Sequence, residues 1–166
     1  MTPTITQEDA FTAIKGFLDT VLTGCEVVQG QDNRVPMPTS PNFVVMTAVN
    51  RAQLAQTTHD YRPDDDEQDI ARSTSLTFQI DVYGDAAADN AQVITTLMRD
   101  AYGVDLMSAS GVHPLYCGDP QQMPLLTGEQ QYLQRWTIGC VVQANLGVTV
   151  TTQFADSLVT TLQEVK

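Results

Sequence analysis

The side chains best suited to chemistry crowd into one run, Asp60-Tyr-Arg-Pro-Asp-Asp-Asp-Glu-Gln-Asp69. Clustered carboxylates are what hard cations such as calcium require, so the spacing is the test. With Asp64 as the first position of a calcium loop, Gln68 and Asp69 fall at the fifth and sixth positions and the turning glycine is missing. Ser75 stands where the loop needs a bidentate acid. The register argues against a metal site. Asp64, Asp65, Asp66, Glu67 and Asp69 are then either a solvated tip that repels itself outward or a functional electrostatic surface.

Other candidates for chemistry are sparse. His59 and His113 sit in no H-E-x-x-H pattern and beside no nucleophile motif, and they read as surface or turn residues. The serine-hydrolase, dinucleotide and phosphate-loop signatures do not occur. Asp81 and Tyr83 share one strand face, which the wet side of a sheet explains without chemistry. Cys25, Cys117 and Cys140 lie far apart with no C-x-x-C pair, so the expectation is three free thiols serving as small, buried apolar residues. No catalytic, cofactor or metal residue is expected.

The elements that must hold the acidic run are legible in the hydrophobic pattern. Leu76, Phe78, Ile80 and Val82 alternate with Thr77, Gln79, Asp81 and Tyr83, the two-residue period of a half-buried strand. Residues 43–56 are extended and form its natural antiparallel partner, so the acidic loop, residues 57–69, becomes a hairpin tip. A first helix opens at Thr6 with Asp9 as capping acid, carries Phe11, Ile14, Leu18, Val21 and Leu22, and ends at Gly24. A second is capped by Asp85, carries Ala87, Ala91, Ile94, Leu97, Met98 and Ala101, and stops at Gly103. Short strands are expected at residues 26–29 and, as an edge because of Pro114, at 112–117. A long strand runs through 132–146 with Trp136, Ile138, Cys140, Val142, Ala144 and Leu146 inward. It continues extended over 148–152, and a turn at 154–156 and a last strand over 158–165 complete the reading. Residues 30–42 are a proline-bearing arm or connecting loop.

The expected fold is therefore α+β: one domain over residues 1–166, a mainly antiparallel, mixed sheet, and two principal helices packed on it. At 166 residues the chain can bury roughly 70% of its unfolded surface, enough for a core without metal or disulfide. The core is expected to join Phe11, Ile14, Leu18, Phe78, Ile80, Val82, Ile94, Leu97, Trp136, Ile138 and Val142. No run approaches the ~20 apolar residues of a membrane span, and residues 1–8 lack the regions of a signal peptide, so a soluble protein made in a cytoplasm is expected. Twenty acids against eight bases give a net charge of −12. That repels phosphate backbones and anionic membranes and excludes a conventional nucleic-acid binder.

An ordered set of stretches carries a family resemblance: Gln29-Gly-Gln-Asp-Asn-Arg-Val-Pro36, Asn42-Phe-Val-Val-Met-Thr47, Gln79-Ile-Asp-Val-Tyr-Gly84, Pro114-Leu-Tyr116, and Gly128-Glu-Gln-Gln-Tyr132 with Arg135-Trp136. Over roughly residues 25–156 the chain resembles the neck or tail terminator proteins of tailed bacteriophages. The resemblance implies a structural virion protein without enzymatic residues or cofactor, closing the head-proximal end of the tail tube as a ring, usually of six subunits. It further implies further copies of itself, the tail tube protein, a neck or head-completion protein and possibly the tail sheath as partners. Genomic DNA would pass through without specific binding, and the acidic loop would face the channel or a docking partner. A different neck, head–tail connector or minor tail subunit shares almost every feature, and a small-ligand binding module or enzyme is the remaining alternative.

Overall fold

The alternation at residues 76–83 belongs to a strand much longer than its apolar part. The computed structural model describes residues 3–31, 38–126 and 132–153. In chain order, α1 (Gln7–Val21) and β1 (Glu26–Gln29) precede β2 (Phe43–Gln53), β3 (Thr58–Arg62) and β4 (Glu67–Tyr83). Then come α2 (Ala87–Met98), α3 (Ala101–Ser108), β5 (Val112–Cys117), β6 (Gln121–Gln122), β7 (Leu125–Leu126), β8 (Tyr132–Leu133) and β9 (Arg135–Thr151). The fold is α+β, a mixed, mostly antiparallel sheet with helices on it.

β4 and β9 form the spine. They pair antiparallel without interruption from Glu67↔Thr151 to Tyr83↔Arg135. The other edge of β4 is shared by β2, which pairs from Phe43↔Tyr83 to Gln53↔Thr74, and β3, which pairs from Thr58↔Ala71 to Arg62↔Glu67. The expected hairpin is thus present, with its outer arm broken at residues 54–57 into two strands, but the loop expected over 57–69 is corrected: 58–62 and 67–69 are paired strand, and only 63–66 form the tip. β5 pairs with β9 and forms the far edge, and its register shifts between Pro114 and Tyr116. A proline there removes one ladder donor, which an edge tolerates. β7 and β8 form a separate small ribbon. β1 pairs with β2 in parallel. Parallel neighbours need a connection of about a dozen residues, which accounts for the segment 30–42. Its described end is held to the start of β1, where the Glu26 carboxylate accepts from Thr39 N–H at 3.0 Å.

One buried cluster joins the helices to the sheet. Phe78, Ile80 and Val82 of β4 and Ile138, Cys140 and Val142 of β9 meet Phe11, Ile14 and Leu18 of α1 and Ala91, Ile94 and Met98 of α2. Phe11 sets its ring edge against Phe78 at 5.0 Å. Each fully buried large side chain contributes about 1.5–3 kcal/mol relative to exposure, so this face dominates the stability of the body. Leu97 and Trp136 are only half-buried and pack at the rim of this cluster. Trp136 lies at the second residue of β9, where the strand enters the sheet.

Two helix expectations are corrected. At the first helix the capping box forms as read: Thr6 Oγ1 accepts from Asp9 N–H at 3.2 Å, and Thr6 N–H donates to the Asp9 carboxylate at 2.7 Å. Asp85, by contrast, is exposed and does not cap α2. The chain turns at Gly84, whose φ of +107° and contact with Pro41 and Asn42 leave no room for a side chain. Asn42 Oδ1 then accepts from Ala86 N–H at 3.2 Å. Nor does Gly103 stop the second helix. The helix ends at Met98, restarts as α3 with Asp100 accepting from Tyr102 N–H at 3.0 Å, and Gly103 lies inside the new helix. Among the described residues, a third α-helix, the short α3, thus stands beside the two principal ones. Gly103 is needed for the close approach of α3 to the end of α2, because a Cβ there would stand 2.6 Å from the Leu97 carbonyl oxygen. The expected turn at 154–156, the strand at 158–165 and residues 32–37 of the arm lie outside the described residues.

These environments predict opposite outcomes for one substitution. Gly103→Ala should destabilise by about 1–3 kcal/mol by overpacking. Gly16→Ala, at an exposed position of α1 with nothing within 4 Å of the new methyl, should stabilise by about 0.5–1 kcal/mol. Urea unfolding of both variants measures the contrast; equal effects would remove the close-packing account of Gly103.

Candidate functional site

The acidic hairpin divides the five candidate carboxylates into two groups. A 3-10 turn at Pro63–Asp65 and a left-handed Asp66, φ 52°, close the tip and leave Asp64, Asp65 and Asp66 exposed. Asp and Asn tolerate that left-handed conformation better than most residues. Glu67 and Asp69 instead lie on β4, half-buried, around Arg62 from the opposite arm. Arg62 Nη2 donates to Glu67 Oε2 at 2.8 Å and to Asp69 Oδ1 at 3.1 Å, and Nη1 stands 3.6 Å from Asp65. The guanidinium thus occupies the position among the acids that a bound cation would need.

The third strand completes the clasp. Thr149 of β9 donates its hydroxyl to Asp69 Oδ1 at 2.6 Å, and Thr152 N–H donates to the Asp66 carbonyl at 2.9 Å. Gln68, buried on the opposite face of the strand, bonds His59 Nδ1 at 2.6 Å. His59 is thereby a structural partner on exposed β3, and His113 lies exposed on β5. Residues 60–69 carry six carboxylates and one guanidinium, a local charge of −5. Arg62 offsets one of the two charges at the base of the hairpin, and the tip carboxylates point their charge at solvent.

A second polar cluster overturns one expectation. The face of β4 away from the helices is not wet at Asp81, which is 4% exposed. Arg135 Nη2 and Nε donate to its two carboxylate oxygens at 2.9 and 3.1 Å, Thr137 Oγ1 donates at 2.6 Å, and Gln79 Nε2 at 2.8 Å. Arg135 also lies over the Tyr83 ring, which stacks on Phe43 with centroids 4.6 Å apart. Burial pushes the Tyr83 phenol up. Alternation correctly placed Asp81, Gln79 and Tyr83 on one face, but the cross-strand register brings Arg135 and Thr137 onto it. Four donors satisfy Asp81, leaving no open position for a substrate; the cluster is structural.

Sequence reasoning found the five acids and missed their organiser. Arg62 is the one base in the run, and its spacing to Glu67 and Asp69 across a tight turn was the available signal. Thr149 gave none, since it lies 80 residues from Asp69.

The Thr149 hydroxyl above all holds the Asp69 carboxyl below the ordinary aspartate range, against the opposing effect of burial, with the charge and hydrogen bond of Arg62 adding smaller help. A lowered folded value means that this ionised carboxylate favours the hairpin at and above the unfolded aspartate range. Its contribution disappears as pH falls through the folded value. In a carboxyl NMR titration, Thr149→Val should move the Asp69 midpoint upward; an unmoved midpoint would show that the hydroxyl is not the cause. Asp81→Ala should cost about 2–3 kcal/mol, at or below the lower end for a broken buried pair, because the orphaned Arg135 side chain is 24% exposed. Denaturant unfolding measures it, and a loss under 0.5 kcal/mol, an ordinary surface effect, would contradict the burial.

A family model described as phage neck terminator protein matches residues 8–165. Among solved structures, the chain resembles the PVC sheath/tube terminator of an extracellular contractile injection system, determined by cryo-EM in the extended state, with a TM-score of 0.57 and 11% identity. The alignment covers 97% of this chain and 64% of that one, so this chain spans somewhat less than two thirds of that terminator's length. No curated protein matches.

Proposed function

The chain belongs to the phage neck terminator family, structural components of the virion's tail and neck rather than enzymes, and on that footing we propose that it closes the head-proximal end of a tail tube as a ring. The family match over residues 8–165 is the observation that carries this reading. The shared fold with a sheath/tube terminator supports a position at the end of a tube. In this proposal the ring has six copies, contacts the tail tube, the neck and a sheath where one is present, and lets DNA pass.

The acidity supports the conduit role on physical grounds. Basic side chains on a channel wall would bind phosphate with a salt-dependent affinity, whereas carboxylates repel the duplex and keep it centred. Six copies would bring about −70 of charge together, and ring closure requires that one patch meet a different patch of the neighbour. We assign the hairpin tips, Asp64, Asp65 and Asp66, to the channel; Glu67 and Asp69 hold Arg62 in place. Docking of the tips onto a basic neck or tail partner is the competing role.

Asp64→Asn, Asp65→Asn and Asp66→Asn together keep the tip's shape and its left-handed residue. They should leave stability within about 0.5 kcal/mol, as surface changes do. In the phage, a lumen role gives normal tails with slowed or salt-sensitive DNA ejection, and a docking role gives headless tails. Normal assembly with unaltered ejection across ionic strength would remove both. Averaged images of the neck showing this subunit at another symmetry would overturn the sixfold ring.

A further inference from the structure

The edge strand β5 and its neighbour β9 bring together two core thiols whose reactivity the terminator role does not use. Cys117 is the cross-strand partner of Cys140 on β9. Their Sγ atoms lie 3.1 Å apart, both residues are fully buried, and both thiols are free. The next pair along the ladder is hydrogen-bonded, Gly118 N–H donating to the Gly139 carbonyl at 2.7 Å. Antiparallel pairs alternate, so Cys117 and Cys140 occupy a non-hydrogen-bonded position, where Cα atoms are about 4.5 Å apart. That separation lies within the roughly 4.4–6.8 Å span of disulfides. The backbone thus places the two cysteines in a register from which an S–S bond can close with about 1 Å of sulfur movement.

We propose that Cys117 and Cys140 form an oxidative modification site, closed to a disulfide by a peroxide, that fastens the edge strand to the spine. The strand also provides the entry. β5 is a six-residue edge interrupted at Pro114 and Leu115, and such edges open locally far more readily than a central strand. Cys117 is the attacking group. A Cys140 thiol that donates to Cys117, aided by the charge of Arg99, favours the Cys117 thiolate, although burial and Asp119 act the other way. Arg99 is itself fixed there, donating from Nε to the Cys117 carbonyl at 2.6 Å and from Nη2 to Asp119 at 2.9 Å. The Cys140 thiol is held protonated, by the same hydrogen bond and by its burial.

The chemistry balances with hydrogen peroxide as oxidant. The Cys117 thiolate attacks one peroxide oxygen, the O–O bond breaks, and Cys117 becomes a sulfenic acid as hydroxide leaves and takes up a proton. The Cys140 sulfur then attacks the Cys117 sulfur. An S–S bond forms, the S–O bond breaks, and the oxygen departs as water with the Cys140 proton. Two thiols and one peroxide give one disulfide and two waters. In a reducing cytoplasm the thiols stay open. An oxidising medium outside the cell closes them.

The test uses the purified full chain, reduced, desalted and exposed to hydrogen peroxide, then denatured and alkylated without reductant. Intact mass should show one alkyl adduct, at Cys25, where the reduced control shows three, and peptide mapping should show Cys117 linked to Cys140. Three adducts after oxidation, or sulfinic acid without the linked peptide, would overturn the proposal. Dimedone should label Cys117 in the Cys140→Ser variant, and labelling of Cys140 in Cys117→Ser to the same extent would overturn the order of attack. The wild-type mass decides the disulfide even if either variant fails to fold. The result is independent of the ring and of the neck reading.

Discussion

Everything in this molecule hangs on the register between β4 and β9. Seventeen consecutive pairs, without a bulge, carry the chain from the helix-covered body to the hairpin tip. Because side chains alternate, this one ladder decides that Phe78, Ile80 and Val82 face the helices together with Ile138, Cys140 and Val142. A slip of one residue would turn every one of them to the opposite face. The ladder also lets an acidic segment lie far from the core yet remain ordered, since β9 supports β4 as far as Glu67.

The parts legible in the sequence were those written in local periodicity. The alternation at residues 76–83, the helical stripe after Thr6 and the capping box needed only neighbours within a few residues. Pairing of the arms on either side of the acidic loop was legible for the same reason, with two extended runs flanking a turn-rich segment. What failed depended on distant partners. Asp85 has the composition of a cap, but the sharp turn at Gly84 brings Asn42, 44 residues away, to the helix start. Gly103 has the composition of a stop, but it serves the close contact of two helices. Asp81 on a polar strand face reads as wet until the register supplies Arg135, 54 residues on. At the hairpin the five acids were visible, whereas their division into tip and base was set by Arg62 and Thr149.

A chain at −12 has few cations to deploy, and their placement is informative. Arg62 sits between two carboxylates of β4, Arg135 clasps the single carboxylate of Asp81 on the same strand, and Arg99 ties the end of β5 to Asp119. These guanidiniums fasten strands; among the described residues, the carboxylates they leave unpaired are exposed or, at Glu26, half-buried. Unpaired carboxylates in a core would cost several kcal/mol each, whereas at a solvated tip their repulsion is screened over about 8–10 Å in physiological salt. The fold therefore tolerates the acidity only where it does not have to be packed, and the hairpin tip is such a place.

The two arginine clusters also stand at opposite ends of the same strand pair. Near one end Thr137 donates to Asp81 at 2.6 Å beside Arg135; near the other Thr149 donates to Asp69 at 2.6 Å beside Arg62. Both hydroxyls come from β9 and both carboxylates from β4. Apolar packing between the clusters rewards burial but tolerates substitution of one aliphatic group for another. A hydrogen-bonded, charged constellation resists a slip, most of all at buried Asp81, where a displaced partner leaves a desolvated charge unpaired; around Asp69, whose side chain is 41% exposed, the penalty is smaller. The core thus supplies the stability of the ladder and the two end clusters supply its uniqueness. Only with both does the tip acquire a fixed position relative to the body, which is what a charged surface needs if it is to act at a defined radius in an assembly.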